Sequence, residues 1–500
     1  MVDPHDIRLE VPAGSASATE SSPPAPLTVR QPVFGWGMAI GGDSDVIAIT
    51  SQEQLAAVLQ WATVTGKKVA LRGSGCSYGD AACGQGKIVL DMRGLRRRIA
   101  WDPKTGRVRA EAGYTIADLW KVGIAEGWWP PVVSGTMEPS LGGAAAMNIH
   151  GKNAYRVGPI GDHIQALKIC KVDGTFAEVL PTDPLFAALI SSFGELAVIC
   201  EVELQLKRIY SGELEVLGVS VPDLDKMFDE FEKLQGEADY LVSWLDAFAS
   251  GAGLGRGLIH AAYQLPSGHD ADPQARLRVE AQQLPPRLFG VIPKSWMWVF
   301  IKPFSNKLGM RLINWAKQTS GKLLEHNKRY RQTHGAFHFL LDYVPNWKFI
   351  YKPSGMIQHQ IFVPKEQARQ VFRQVLDLEH RYGLPAFLAV MKRHRADRFL
   401  LTHGLDGYSL AQDFPVTPRN RERLWALCAE IDAIVVAAGG RFYFAKDSTL
   451  KPDTVLAGWP SENLREFMRL RRQLDPESVL STDLFERAVA PALAKLRADS

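Results

Sequence analysis

The run SGTMEPSLGGAAAMNIHGKN, residues 134–153, sets Gly142 and Gly143 against three alanines and then follows them with His150, Gly151, Lys152 and Asn153. Small side chains in a row let a large flat ligand lie on the backbone, and the polar ending places reactive groups at its edge. A tightly packed helix or chain crossing accounts for the glycines and alanines as well. It does not account for the polar cluster.

Upstream, VALRGSGCSYGD, residues 69–80, puts an apolar strand directly before a loop with glycines at 73, 75 and 79. Glycine permits positive φ and close backbone approach, so successive N–H groups can face one anion such as a pyrophosphate; a plain turn between strands is the competing reading. Around this loop, short apolar runs such as KKVAL and KIVLDM alternate with the helical stretch SQEQLAAVLQWAT, an α/β texture. RRIAWDPKTGRVRAEAG reads as a hairpin about a proline–glycine turn. TIADLWKVGIAEG reads as a helix capped by Thr115 and ended near Gly127. Strands in ALKICKVDGTFAEVL and LAVICEVELQLKRI complete a first domain, residues 29–210.

From residue 211 to 440 the glycine loops stop, and strands such as GMIQHQIFVP alternate with helices such as KEQARQVFRQVLDLEHRYG, which starts at Lys365 behind Pro364. This predicts a second, α+β domain. The last segment, 441–500, holds the strand-like GGRFYFAKDS and a mostly helical stretch with a stop at Pro476. At the other end, residues 1–28 include AGSASATESSPPAP, too poor in large apolar groups to offset ordering entropy, and are expected to form a disordered tail.

Composition narrows the function classes. A chain of 500 residues, 46% hydrophobic, can bury a large core. Its net charge of +4, from 58 basic and 54 acidic residues, argues against a dedicated nucleic-acid binder. The five cysteines, 76, 83, 170, 200 and 428, show no CxxC spacing, so neither a disulfide framework nor a metal site is expected. Without a secretory pattern or a run of about 20 apolar residues, the chain reads as cytoplasmic, in peripheral contact with the inner face of a membrane.

Taken in order, RGSGCSYGD, GGAAAMNIHGKN, GRFYFAKDS and LDPESVLSTDLF resemble the FAD-linked oxidases of the vanillyl-alcohol oxidase superfamily, with its PCMH-type FAD-binding domain. Within it they are similar to the oxidases of polyprenyl-phosphate-linked ribose. The resemblance runs from about residue 30 to the end. It implies an α+β, two-domain PCMH-type FAD-binding fold with an antiparallel-sheet substrate domain flanked by helices. It also implies noncovalent FAD, and a C-terminal segment that returns to the FAD domain to complete the active site.

Position by position, the resemblance implies that Arg72, Gly73, Ser74, Gly75, Cys76, Ser77, Tyr78, Gly79 and Asp80 hold the pyrophosphate. It places Gly135, Ser140, Leu141, Gly142, Gly143, Met147, Asn148, Ile149, His150, Val198 and Tyr443 beside the rest of FAD. Around the sugar it implies Lys152, Trp244, Gln358, Gln360, Lys392 and Ser409. Oxidation of an alcohol removes a hydroxyl proton and passes hydride to the flavin, which calls for a cation near the ring. Lys446 is that cation, or the base if burial lowers its pKa, and His150 orients or deprotonates the hydroxyl. Without the resemblance, Lys446 reads as a salt bridge to Asp447 and His150 as a satisfied core histidine. Lys152 and Lys392 suit a substrate phosphate, or are surface lysines.

Four positions depart from the family pattern. Cys76 stands where many members carry a histidine attached to the flavin, leaving open a thioether or a simple buried thiol. Ala197, before Val198, replaces a usual glycine, and Ser409 and Ala411 stand where related enzymes have asparagine and cysteine. In PKSWMWVFIKPFSNKLGMRLINWAK, aromatics interleave with basic residues, which fits either an interfacial segment on anionic lipid or a buried helix or dimer contact. The expected partners are a lipid-linked or free sugar substrate, a membrane surface and an NAD(P)H-dependent short-chain reductase that completes an epimerisation. A soluble aldonolactone or polyol oxidase and a non-catalytic flavoprotein are the alternatives.

Overall fold

The computed structural model describes residues 25–288 and 290–498, so of the expected N-terminal tail residues 1–24 lie outside the described part. The helix Gln52–Val64 starts where the Ser51 side chain accepts the Gln54 N–H at 3.1 Å. It carries the chain across a small sheet in which Gly41–Ala48 and Val69–Arg72 both run parallel to Ile88–Asp91. Val29–Phe34 closes the outer edge antiparallel. The first glycine loop therefore leaves the carboxyl end of a parallel strand, where α/β sheets place their ligands.

A second sheet has five antiparallel strands in the order Arg98–Asp102, Arg107–Glu111, Val198–Gln205, Ile164–Cys170, Phe176–Val179. The expected hairpin is its first pair, and Gly106 takes φ +72° in the turn. Thr115 and Asp118 form a capping box on the helix Ile116–Gly123, and one further 3-10 turn ends at Gly127 with φ +72°, as the sequence predicts.

The third sheet is the largest. Its eight strands run in the order Lys328–Thr333, Glu213–Val221, Gly257–Gln264, Tyr240–Leu245, Leu388–His394, Gly407–Pro415, Met356–Pro364, Arg441–Phe442. Helices Leu224–Leu234, Lys365–Tyr382 and Arg421–Ala437 pack on one face. The second of these buries Ala368, Val371, Phe372, Val375 and Leu376, the stripe its helical period dictates. Because strand side chains alternate between faces, Gln358 and Gln360, Val390 and Lys392, and Val242 and Trp244 share the opposite face and line a cavity there.

After Arg441–Phe442 the run GGRFYFAKDS stops being a strand and becomes a turn. The Ala445 carbonyl accepts the Tyr78 N–H at 2.8 Å, while the Lys446 N–H donates to Tyr443 O at 2.8 Å. Its partner is the glycine loop rather than a neighbouring strand. The helix Ser461–Leu474 then ends ahead of Pro476, and the chain runs beside Val69: Val69 N–H donates to Val479 O, and Ser481 N–H to Val69 O, both at 2.8 Å. No helix among the described residues is long and apolar enough to cross a membrane.

One guanidinium ties these parts together. Arg487 donates to Asp80 Oδ2 at 2.7 Å and Oδ1 at 2.9 Å, to Asp447 Oδ2 at 2.7 Å, and to the Leu450 carbonyl at 2.7 Å. Both aspartates are buried. Removing the guanidinium leaves two buried carboxylates uncompensated, which costs about 3–5 kcal/mol. Arg487→Met is therefore expected to lower the denaturation midpoint sharply; equilibrium unfolding in urea, followed by tryptophan fluorescence, measures it.

Candidate active site

The site is built from the first glycine loop upward. Arg72 does not reach the cavity: its guanidinium donates to Phe34 O and Ala82 O, both at 3.0 Å, and braces the loop from behind. Asp80 is held by Arg487, and Gly79 presses on the AKDS turn, where an added Cβ would meet Asp447 O at 1.7 Å. Between these supports Ser74, Gly75, Cys76 and Ser77 line the cavity, and among the described residues no acceptor takes their amide protons. Four successive free N–H groups make a nest suited to an anion.

The second glycine segment forms the adjoining wall. Gly142 and Gly143 lie in a short helix, Leu141–Ala146, as the packed-helix reading of this run expects, and both also line the cavity. Gly142 backs onto Ala112, whose Cβ stands 2.7 Å from where a Cβ would be, and Gly73 meets Ser140 Oγ at 2.2 Å in the same sense. The two glycine segments thus touch through Ser140, and neither tolerates a side chain. Asn148 then adopts φ +47° and accepts the Gly161 N–H through Oδ1 at 3.1 Å, a left-handed turn that asparagine accommodates. That turn brings Ile149, His150 and Lys152 along the cavity.

The large sheet supplies the opposite wall. Register pairs Gln358 with Asp413, Gln360 with Ala411, Val390 with Ala411, and Trp244 with Val390. Together the walls enclose about 710 Å³, inside the roughly 300–1,000 Å³ typical of cofactor and ligand sites.

Electrostatics divide the polar residues by task. The His150 ring faces Gln360, with Nε2 at 3.1 Å from the amide nitrogen, and burial, aided by Lys392 and the neighbouring His394 and His403, keeps it far below the usual histidine range. It is neutral, and its Nδ1 has no partner among the described residues. Lys446 lies 3.6 Å from the Tyr78 ring centroid and makes no ion pair among the described residues; Asp447, the partner the sequence suggested, belongs to Arg487. Burial lowers Lys446 below the lysine range while Asp413 opposes, and burial raises the Asp413 carboxyl while its Gln358 hydrogen bond and Lys446 oppose. Burial lowers Lys392 to about 8.

Most of the expected site residues line this cavity: Gly73, Ser74, Gly75, Cys76, Ser77 and Tyr78; Gly135, Ser140, Gly142, Gly143, Met147, Ile149 and His150; Val198, Tyr443 and Lys446; and Lys152, Trp244, Gln358, Gln360 and Lys392. Arg72, Gly79, Asp80, Leu141, Asn148 and Ser409 stand behind it. Ser409 is fully buried, bonded to His394 Nε2 at 2.8 Å and Gln360 Nε2 at 3.4 Å, so it holds Gln360 in place. Lys152 is engaged too: its ammonium donates to Phe337 O and to His338 O, the latter at 3.1 Å. Sequence reasoning passed over Asp413, although strand alternation with Ala411 and Ser409 puts it on the same face, and it had no signal for His394, His403 or Arg487.

An unpartnered amide nest joined to a small-residue shelf, opening on a neutral histidine and a buried lysine, defines a site for a dinucleotide with a flat redox-active ring. Residues 44–179, which contain both glycine segments, match the FAD binding domain family. The chain is an FAD-dependent oxidoreductase with a PCMH-type FAD-binding domain. It is 29% identical over 474 residues, 92% of this chain and 98% of the relative, to decaprenylphosphoryl-beta-D-ribose oxidase of Mycolicibacterium smegmatis. It is 23% identical over 459 residues, 91% and 98% of the two chains, to L-gulono-1,4-lactone dehydrogenase of Mycobacterium tuberculosis. To mouse L-gulonolactone oxidase it is 28% identical over 194 residues, 38% of this chain and 43% of that enzyme.

Cys76 bears on how the flavin is held. Burial pushes its thiol up to about 11, with Lys446 opposing, so the nucleophilic thiolate is scarce at neutral pH. Acid precipitation of the holoprotein is expected to leave all FAD in the supernatant; yellow colour in the pellet that is lost in Cys76→Ser is the contrary result.

Proposed function

We propose that this enzyme oxidises a secondary hydroxyl of a lipid-linked sugar, in the first instance the 2'-hydroxyl of a polyprenyl-phosphate-linked ribose. Residues 29–210 hold FAD, 211–440 present the substrate, and 441–500 return to complete the site. When bound, FAD supplies the two-electron acceptor for the hydride. Neutral His150, at the Nε2 position it now shares with Gln360, takes the hydroxyl proton. Gln358 and Gln360 orient the sugar, and Lys446 holds positive charge where negative charge accumulates. The 2-keto product passes to a separate NAD(P)H-dependent reductase.

The observation that carries the lipid-linked part is the segment Val291–Leu324. Trp296 is 62% exposed, Leu308 79% and Trp315 55%, with Val299, Phe300, Phe304, Leu312, Leu323 and Leu324 exposed beside them. Between Pro285 and Thr333 the one acidic residue is Glu325, against ten basic residues, Arg287, Lys294, Lys302, Lys307, Arg311, Lys317, Lys322, Lys328, Arg329 and Arg331. Aromatic and aliphatic groups left in water among cations favour an anionic membrane surface. The same segment reaches the cavity, through Lys317 and through Trp298, which packs on Phe349 at 5.5 Å next to the cavity-lining Trp347. A soluble-sugar oxidase is expected to bury this stretch, and a non-catalytic flavoprotein to block the cavity or turn Lys446 away from it; here the stretch is exposed and Lys446 lines an open cavity.

Anaerobic mixing separates these readings: polyprenyl-phosphate ribose is expected to bleach the flavin band and L-gulono-1,4-lactone to leave it, and the reverse would overturn the assignment. Lys446→Gln is expected to slow that bleaching roughly 10²–10³-fold. Protonated Lys446 is the active form, so the rate falls as pH rises through its lowered pKa. Asp413 favours the protonated form, and Asp413→Asn should therefore move the alkaline limb of the pH–rate profile to lower pH; an unmoved limb assigns that limb to another group.

A further inference from the structure

The end of the cavity at Trp244, His260 and Lys317 belongs to none of the tasks above. Lys317 sits on the helix Lys307–Ser320, which begins with Asn306 Oδ1 accepting the Gly309 N–H at 3.0 Å. The helix is fixed to the sheet near its far end. Gln318 Nε2 donates to Ser220 Oγ and Val221 O, both at 3.2 Å, and buried Gly321 lies so close to Leu258 that a Cβ would meet its side chain at 2.3 Å. With its neighbours anchored, Lys317 is directed into the cavity, where Nζ stands 4.6 Å from the Trp244 ring centroid.

A lysine so placed needs a counter-charge, and the protein withholds one. No carboxylate lies within ion-pair distance of Lys317 among the described residues; Glu325, the acid whose field reaches it, bonds His260 Nε2 at 2.8 Å instead. Lys317 as a residue keeps exposed surface, but desolvation of its ammonium at the cavity wall lowers it to about 8, so it is mostly protonated at neutral pH. The acids that do line the cavity are Glu138 and Asp342, and Asp342 is taken up by Thr136 Oγ1 at 2.7 Å and the Met137 N–H at 2.9 Å. Lys152 is bound to carbonyls and Lys392 lies close enough to shift His150, which leaves Lys317, among the described residues that line the cavity, as the cation without an ion-pair partner remote from the reacting group. The strand of Trp244 is three strand spacings from that of Gln360, roughly 14 Å.

We infer that Lys317, held over Trp244, binds an anionic group that the substrate carries away from its oxidised hydroxyl, and that this group is a phosphate ester. The inference rests on the reading of the cavity as a sugar-oxidising site, but its test does not. Calorimetric titration of the FAD-loaded protein with decyl phosphate, decanol and inorganic phosphate probes the subsite without turnover. Decyl phosphate is expected to bind at least tenfold more tightly than decanol; Lys317→Ala should remove most of that difference and Lys317→Arg keep it. If inorganic phosphate binds as tightly as decyl phosphate, and with the same dependence on Lys317, the subsite stands and serves free phosphate. Equal decyl phosphate affinity in wild type and Lys317→Ala overturns it. Should the difference hold while no sugar reduces the flavin, the oxidase reading fails and the subsite stands.

Discussion

The Arg487 guanidinium joins three segments that are far apart in sequence: the first glycine loop through Asp80, the AKDS turn through Asp447, and the C-terminal helical region that carries Arg487 itself. Its consequence is positional. Gly79 can press on the carbonyl of Asp447, and Tyr78 can donate to Ala445, because the two loops are drawn together by charge on their outer side. Tyr78 is then beneath Lys446, and the cation faces the cavity instead of the nearest carboxylate. A buried ion triad contributes little net stability compared with well-packed apolar groups. Its value here is that Asp447 is occupied, which frees Lys446.

The same division of labour recurs around the cavity. Residues behind the wall hold or brace several of those on it, while His150 Nδ1 and the amides of Ser74–Ser77 stay without partners among the described residues. Ser409 holds Gln360, Gln358 holds Asp413, and Arg72 braces the loop whose amides stay free. Burial acts on all the cations in one direction, lowering Lys317, Lys392 and Lys446. A cavity of lowered lysines and a neutral histidine gains on admitting an anion, because each lysine recovers the charge that desolvation disfavours.

Legibility in the sequence followed the range of the interactions. Local features were readable: the Thr115 capping box, the hairpin at Gly106, the helix from Lys365 and the small-residue helix with its polar ending are all set within a few residues. Gln358 and Gln360 were legible only through the family resemblance; alternation along their strand and its neighbour would have given the face they share, and Asp413 with it. The turn at Ala445 and Lys446 read as strand, because its hydrogen-bond partner lies some 370 residues away at Tyr78, and nothing near it in sequence shows that. The engagement of Lys152 is of the same kind, since the carbonyls of Phe337 and His338 that accept from it come from another part of the chain.

The helix Lys307–Ser320 shows why the apolar surface and the cavity are not separate matters. Leu308, Leu312 and Trp315 recur at helical spacing on the side left in solvent, while Met310, Asn314 and Gln318 lie against the protein. Lys317 is directed inward between these two stripes. Any force that presses the outer stripe into an apolar medium acts on a body already fastened by Gln318 and Gly321, so it cannot swing the helix away from Trp244. If the substrate is lipid-borne, as proposed, its phosphate and the apolar surface proposed to meet the membrane lie on opposite sides of one short helix, separated by its thickness, roughly 10 Å.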